Sequence, residues 1–133
     1  MNPGLQLVTE LYAAFGAGDV PRFLSHLHPE VVWNEAEGYP YSDGNPYVGA
    51  DAIVAGVFMR LMAEWQDFRV EVGEIVGGPE VVTMFGRYKA THAVSGKALN
   101  VQAAHTWWVR DGKVVRFQQM VDTLASAAAA SPD

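Results

Sequence analysis

The pair Asp111-Gly112 lies between two long runs of alternating apolar residues, and this pattern constrains the fold more than any other feature of the sequence. Asp-Gly is a preferred two-residue turn of a β-hairpin, because both residues tolerate positive φ. The runs on either side, 98–109 and 114–121, are therefore predicted to be neighbouring antiparallel strands. A second turn at Ser95-Gly96 adds the segment 81–94 as a third strand of the same sheet.

Two-residue turns also predict which side chains share a face of this sheet, because directly opposite residues lie on the same side. One face then carries the even residues of 82–92, the odd residues of 99–109 and the even residues of 114–122, with Gly86 opposite His105. This face is apolar with a few separated polar groups, which is typical of a small-molecule pocket. The other face, with Trp108 and Phe117, is typical of a dimer interface. A register shift of one residue would exchange the two faces.

Helical patterns precede the strands. Apolar residues at helical spacing predict a helix over 3–15, a short second helix follows Asp19, and a broad apolar stripe predicts a third helix over 50–65. Between the second and third helices, the segment 31–38 (VVWNEAEG) begins as a strand and ends in carboxylates. Helices followed by a meander of strands predict an α+β fold. We expect a curved antiparallel sheet wrapped around three N-terminal helices, forming a cone with an internal pocket.

Length and composition narrow the class of protein. A chain of 133 residues predicts one domain over 1–133, and a net charge of −6 with scattered basic residues argues against a nucleic-acid partner. There is no cysteine, and no His and carboxylate pair has metal-ligand spacing, so we expect no metal. No secretory signal and no apolar run of about 20 residues is present, so we expect no membrane partner and a cytoplasmic location.

Three segments together resemble a known family: LYAAFGAGDVPRFLSHLHPEVVWNEAEG, then YVGADAIVAGVF, then HTWWVRDGKVVRFQQMVDT. They are similar to the SnoaL-like polyketide cyclases and the ketosteroid isomerases, which are α+β cones of the nuclear transport factor 2-like superfamily. The resemblance covers roughly residues 5–124. It implies the fold more specifically than the reaction, because this superfamily supports several activities and some members without catalysis.

The resemblance also implies site residues. The cyclases place an acid/base carboxylate at Asp122, a histidine at His105 and a polar residue at Asn34, whereas the isomerases place a proton-shuttling carboxylate at Glu35. The isomerase tyrosine falls on Leu11, one residue from Tyr12, and the position of its protonated acid falls on His105, which argues against steroid isomerisation. The predicted substrate-binding residues are Asn34, Trp33, Tyr12, Tyr88, Trp107, Gln118, Met120 and Phe58.

Each candidate also has a structural alternative. Asp122 or Thr123 could cap a helix that starts at Leu124, and a lone histidine on an apolar face is often a core residue. Simple register separates Asp122 from the position facing His105 by roughly 13 Å, so the two would flank a ligand rather than share a hydrogen bond. Asn34 and Glu35 point to opposite sides of an ideal strand.

These residues lead to one functional hypothesis and several alternatives. We expect a cofactor-independent cyclase or isomerase that transfers a proton on a hydrophobic, carbonyl-bearing small molecule, with Asp122 as acid/base and His105 stabilising the enolate oxygen. We also expect a homodimer through the outer face of the sheet. The alternatives are a non-catalytic dimer that binds a ligand or a protein and, less favoured, an epoxide hydrolase or a dehydratase.

Overall fold

A computed structural model of the protein describes residues 2–133. Its first helix, α1 (Pro3–Gly16), begins at Asn2, whose side-chain oxygen accepts a hydrogen bond from the backbone N–H of Leu5 at 2.9 Å. The second helix, α2 (Val20–Leu24), begins at Asp19, whose carboxylate accepts a hydrogen bond from the N–H of Arg22. Both helices start where the capping residues predict.

The third predicted helix is interrupted. After strand β1 (Leu27–Asn34), a 3-10 turn (Pro40–Gly44) and the short strand β2 (Tyr47–Val48), the chain forms α3 (Ala50–Ile53), a π-helical turn (Val54–Phe58) and α4 (Met59–Glu64). Within the π-helical turn, a Cβ at Gly56 would lie 2.1 Å from Cε1 of Tyr47. The absence of a side chain at Gly56 therefore allows the ring of Tyr47 to pack directly on this turn. A π-helical turn within a helix is a distortion that is common near functional sites.

The remaining strands complete one open sheet. They are β3 (Trp65–Gly77), β4 (Val81–His92), β5 (Ala98–Arg110) and β6 (Lys113–Val121), followed by helix α5 (Thr123–Ala130). The strand order is β2-β1-β6-β5-β4-β3. The sheet is antiparallel as expected except at one pair of strands, since β1 lies parallel to β6. A parallel pair needs a long connection, and here the whole segment from 35 to 112 supplies it.

The predicted register between β4 and β5 is displaced by two residues. Met84, and not Gly86, lies opposite His105, because a longer loop than Ser95-Gly96 follows the last pair, Thr91 with Ala98. A displacement of two residues leaves each side chain on its predicted face. Accordingly, the even residues of β4 and the odd residues of β5 include most of the buried core of these strands.

The predicted face of β6 is wrong because of a β-bulge. Trp108 pairs with Arg116 and Val109 pairs with Val114, which leaves Val115 as an additional residue on β6. Since strand side chains alternate, one additional residue moves every later residue of β6 to the other face. Phe117 consequently pairs with Trp107 on the inner face.

The core lies between this inner face and the helices, with α1 packed against β3 and β4. Aromatic side chains from three adjacent strands meet at its centre: the ring of Trp33 stacks on Phe117 at 3.8 Å between centroids, and Phe117 contacts Trp107 at 4.6 Å. Within residues 2–133, none of the helices has the length and apolar character needed to cross a membrane.

Candidate functional site

A small internal cavity lies between α1, the π-helical turn and the inner face of the sheet. Its volume is about 40 Å³. Most of its wall is aromatic, including Phe15, Phe23, Trp33, Phe58, Phe68, Trp107 and Phe117. The polar groups that line it are Tyr12, Glu35, Tyr39, Tyr88, His105 and Gln119. An apolar wall with a few convergent polar groups is typical of a small-molecule site.

Glu35 is a buried carboxyl group in this apolar cavity. Only 2% of the residue is exposed, and its Oε2 accepts a hydrogen bond of 3.1 Å from Nε1 of Trp33. Burial raises the pKa of Glu35 to about 8, and the Trp33 hydrogen bond and the attraction of Arg60 only partly offset this effect. The carboxyl group therefore exchanges its proton near neutral pH.

The backbone around Glu35 is held in place by two amide side chains. Asn45 accepts from the N–H of Glu35 at 2.9 Å and donates to its carbonyl oxygen at 2.8 Å. The Oε1 of Gln119 accepts from the N–H of Ala36 at 3.0 Å. Because β1 has ended at Asn34, these bonds replace the missing strand ladder and fix the direction of the Glu35 side chain.

His105 lies between two tyrosine hydroxyl groups. Its Nδ1 is 2.6 Å from the hydroxyl oxygen of Tyr12, and its Nε2 forms a hydrogen bond with Tyr88. Burial lowers the pKa of His105 to about 3, because the imidazolium form would be charged in an apolar environment. The imidazole is therefore neutral at pH 7, with one N–H and one unprotonated nitrogen.

Donors on the far side of each tyrosine extend this hydrogen-bonded chain. Nε1 of Trp107 donates to the Tyr12 hydroxyl at 3.0 Å, and Nε2 of Gln119 donates to the Tyr88 hydroxyl at 2.8 Å. Burial raises the pKa of the Tyr12, Tyr39 and Tyr88 hydroxyl groups, and the nearby Glu35 carboxylate adds to this for Tyr39 and Tyr88. All three hydroxyl groups are therefore protonated donors at neutral pH.

The structure brings most of the predicted site residues together. His105 and Glu35 line the cavity, as do five of the predicted substrate-binding residues: Trp33, Tyr12, Tyr88, Trp107 and Phe58. Trp33 and Glu35 lie on the same side, as strand alternation predicts.

Four predicted residues lie elsewhere. Gln118 and Met120 are on the outer face because of the β6 bulge, and Asn34 pairs with Gln118 on that face. Asp122 is exposed, and its carboxylate accepts a hydrogen bond of 2.9 Å from the N–H of Ala125 at the start of α5. The prediction that Asp122 faces the interior is therefore wrong, and the capping alternative describes its position.

Sequence reasoning missed two residues of the inner face, Gln119 and Phe117. A signal for them was present, because one of the three residues Phe117, Gln119 and Val121 is polar, whereas three of the four residues Arg116, Gln118, Met120 and Asp122 are polar or charged. This comparison would have favoured the observed face of β6 over the one set by an ideal turn. Within residues 2–133, no three His, Cys, Asp or Glu side chains are grouped in a way that could hold a metal ion.

Comparisons with known proteins agree with this architecture. Residues 8–117 match the SnoaL-like domain family. The chain is similar to an NTF2-like protein from Burkholderia thailandensis E264, with 34% identity, coverage of 99% of both chains and a TM-score of 0.93. It is similar to an NTF2-like protein of unknown function from Burkholderia pseudomallei K96243, with 26% identity, coverage of 98% and 99%, and a TM-score of 0.89.

A third similar structure is that of TerC co-crystallised with polyporic acid. The two chains are 25% identical, and the match covers 97% of this chain and 98% of TerC, with a TM-score of 0.85. Among curated proteins, none matches this sequence.

Proposed function

Because the chain belongs to the SnoaL-like domain family, we propose that it is a cofactor-independent enzyme that transfers a proton on a hydrophobic small molecule bearing a carbonyl group. The observation that carries the proposal is the Glu35 carboxyl group, which is buried in an aromatic cavity beside hydroxyl donors. We assign Glu35, rather than Asp122, as the acid/base group of this reaction.

The position and pKa of Glu35 suit this role. A general base works best when its pKa lies near the operating pH, and burial raises the pKa of Glu35 to about 8. The ionised carboxylate would accept a proton from the carbon next to the substrate carbonyl, and the resulting acid would return it to another position. The apolar wall would hold the substrate skeleton and exclude water, which competes for the proton.

The hydroxyl groups near Glu35 suit the second requirement, stabilisation of the enolate oxygen. Tyr39 and Tyr88 line the same cavity as Glu35, and donors fixed in an apolar environment stabilise a developing negative charge effectively. His105 is neutral and both of its nitrogen atoms bond to tyrosines, so it would support these donors rather than contact the substrate.

The size and walls of the cavity indicate the class of ligand. About 40 Å³ accommodates only a small group without movement of side chains. An aromatic ligand would therefore require lining side chains to move. Phe15 and Phe68 are two lining residues that are partly exposed, and their rings meet edge to face at 6.5 Å between centroids. The similarity to TerC, which was co-crystallised with polyporic acid, supports a ligand of this hydrophobic, oxygenated type.

Isotope exchange would test the proposal. Aryl methyl ketones are incubated with the protein in D₂O, and loss of the α-proton signal is followed by NMR. We expect exchange to rise with pH through about 8 as Glu35 ionises. Glu35→Gln should slow it roughly 100-fold or more, whereas Asp122→Asn, a matched change outside the cavity, should leave it unchanged.

The non-catalytic alternative gives a different outcome. Thermal stabilisation by polyporic acid or by the ketones, without any exchange above the buffer rate, would identify a ligand-binding protein and contradict the proposed reaction. Exchange that persists in Glu35→Gln would contradict the assignment of the base.

We also propose that two copies associate through the outer face of the sheet. Exposed apolar side chains support this: Val81, Phe85 and Met120 on this face are 44%, 51% and 60% exposed. Sedimentation should show a dimer that Phe85→Asp dissociates. Leu124→Asp, a change at an exposed residue of α5, should leave the dimer intact, and a monomeric wild-type protein would contradict the proposal.

A further inference from the structure

The hydrogen bonds of Tyr12, His105 and Tyr88 can be counted proton by proton. The indole N–H of Trp107 can only donate to Tyr12, and the amide N–H of Gln119 can only donate to Tyr88. The protons of Trp107 and Gln119 therefore lie in their own hydrogen bonds to the tyrosine oxygens. They take no part in the two hydrogen bonds between His105 and the tyrosines. A neutral imidazole and two phenols carry three protons, whereas the two contacts use only two.

One tyrosine hydroxyl proton is therefore always left over. If Nε2 carries the imidazole proton, it donates to Tyr88, Tyr12 donates to Nδ1, and the Tyr88 proton is available to the cavity. If Nδ1 carries the proton, Tyr88 donates to Nε2 and the Tyr12 proton is available instead. The tautomer of His105 thus decides which tyrosine can donate.

We infer that the Tyr12–His105–Tyr88 chain is a switchable donor, in which Tyr12 is a positioning residue that frees the Tyr88 proton for an acceptor oxygen of the ligand. The inference rests on the proposed function for the identity of that oxygen, a carbonyl or enolate. A ligand oxygen beside Tyr88 would select the tautomer with the proton on Nε2, because only this tautomer leaves the Tyr88 hydroxyl free to donate.

The surroundings of the chain favour this arrangement. Tyr88 is 3% exposed, and Glu35 and Tyr39 line the same cavity, so the acid/base group and this donor can act on one ligand. Tyr12 is partly exposed, and its ring lies nearly parallel to the imidazole, with an angle of 7° between the two planes. Burial also keeps His105 neutral, which is the condition on which the proton count depends.

Removing either hydroxyl group should fix the tautomer in opposite ways. In Tyr88→Phe, Tyr12 keeps its proton donated to Nδ1, and the imidazole proton lies on Nε2. In Tyr12→Phe, the Tyr88 hydroxyl donates its proton in a hydrogen bond to Nε2, and the imidazole proton lies on Nδ1. Tyr12→Phe should therefore also remove the cavity donor, although Tyr88 is still present.

The experiment is ¹⁵N NMR of the imidazole nitrogen atoms at neutral pH in protein labelled with ¹⁵N at histidine. We expect the protonated nitrogen to be Nε2 in Tyr88→Phe and Nδ1 in Tyr12→Phe, with a neutral ring in both. Tyr39→Phe, which changes a cavity tyrosine outside the chain, should leave the wild-type signals in place. Either tyrosine variant can be assessed alone if the other does not fold.

The same tautomer in both tyrosine variants, or a protonated ring in the wild-type protein, would overturn the inference. The NMR measurement needs no substrate, so it can be compared with the isotope-exchange assay. If the protonated nitrogen of His105 differs between the two variants as expected but no isotope exchange is seen, only the proposed function is contradicted. If exchange occurs but both variants have the same tautomer, only the switchable donor is contradicted.

Discussion

Replacing Glu35 with Gln should change how the stability of the protein depends on pH. The pKa of Glu35 is raised from 4.5 to about 8 in the folded protein. Between these values the folded protein binds a proton that the unfolded chain has released, so the free energy of unfolding falls as pH rises. At about 1.4 kcal/mol per pH unit, the ionisation of Glu35 lowers the free energy of unfolding by about 5 kcal/mol over this whole range.

His105 acts in the opposite direction. Its pKa is lowered from 6.5 to about 3, so between these values the unfolded chain holds a proton that the folded protein lacks. The free energy of unfolding therefore rises with pH in this range, at the same slope of about 1.4 kcal/mol per unit. Between pH 4.5 and 6.5 the contributions of Glu35 and His105 cancel. Above pH 6.5 only Glu35 still contributes, and its ionisation lowers the free energy of unfolding by about 2 kcal/mol between pH 6.5 and pH 8.

Glu35→Gln removes the contribution of Glu35 to the pH dependence of stability and leaves that of His105. Glutamine has nearly the same shape as the protonated carboxyl group, so the variant should match the wild-type protein near pH 4.5. Its free energy of unfolding should then exceed that of the wild-type protein by about 1.4 kcal/mol for each pH unit, reaching about 5 kcal/mol at high pH. Other titrating groups contribute equally to both proteins and cancel in this difference.

Urea unfolding followed by tryptophan fluorescence, at intervals of about one pH unit from pH 4.5 to above 8, would measure this difference. Glu37→Gln, which removes an exposed carboxylate two residues away, is the matched control for the loss of one acidic group. A constant difference between Glu35→Gln and the wild-type protein would show that Glu35 ionises in contact with water. That result would refute the burial argument and, with it, the assigned base.

Three further substitutions have expected outcomes. Asn45→Ala removes two hydrogen bonds to the backbone of Glu35 and should lower the free energy of unfolding by about 1–3 kcal/mol and slow proton exchange, measured by urea unfolding and NMR. Gly56→Ala places a Cβ 2.1 Å from Tyr47 and should cost about 1–3 kcal/mol in thermal unfolding, so an unchanged melting temperature would contradict the packing described. Asp122→Ala removes the cap of α5 and should cost about 1 kcal/mol without slowing exchange.

Local patterns in the sequence were sufficient for the fold and for part of the site. Apolar periodicity located the helices and strands, and the segments quoted above identified the SnoaL-like family. Strand alternation correctly placed Trp33 with Glu35, and His105 on the inner face. The predictions of elements and of strand faces succeeded because each depends on the period of a single element, which neighbouring residues determine.

Only the tertiary structure decided where the β-bulge in β6 lies and which groups bond to His105. The additional residue Val115 reverses the face of every later residue in that strand, since side chains alternate with a period of two, and so Asp122 lies outside. The contact between Tyr12 and His105 joins residues 93 positions apart, and it depends on how α1 packs against the sheet. The raised pKa of Glu35 has the same origin, because it reflects the side chains that surround the carboxyl group and exclude water from it.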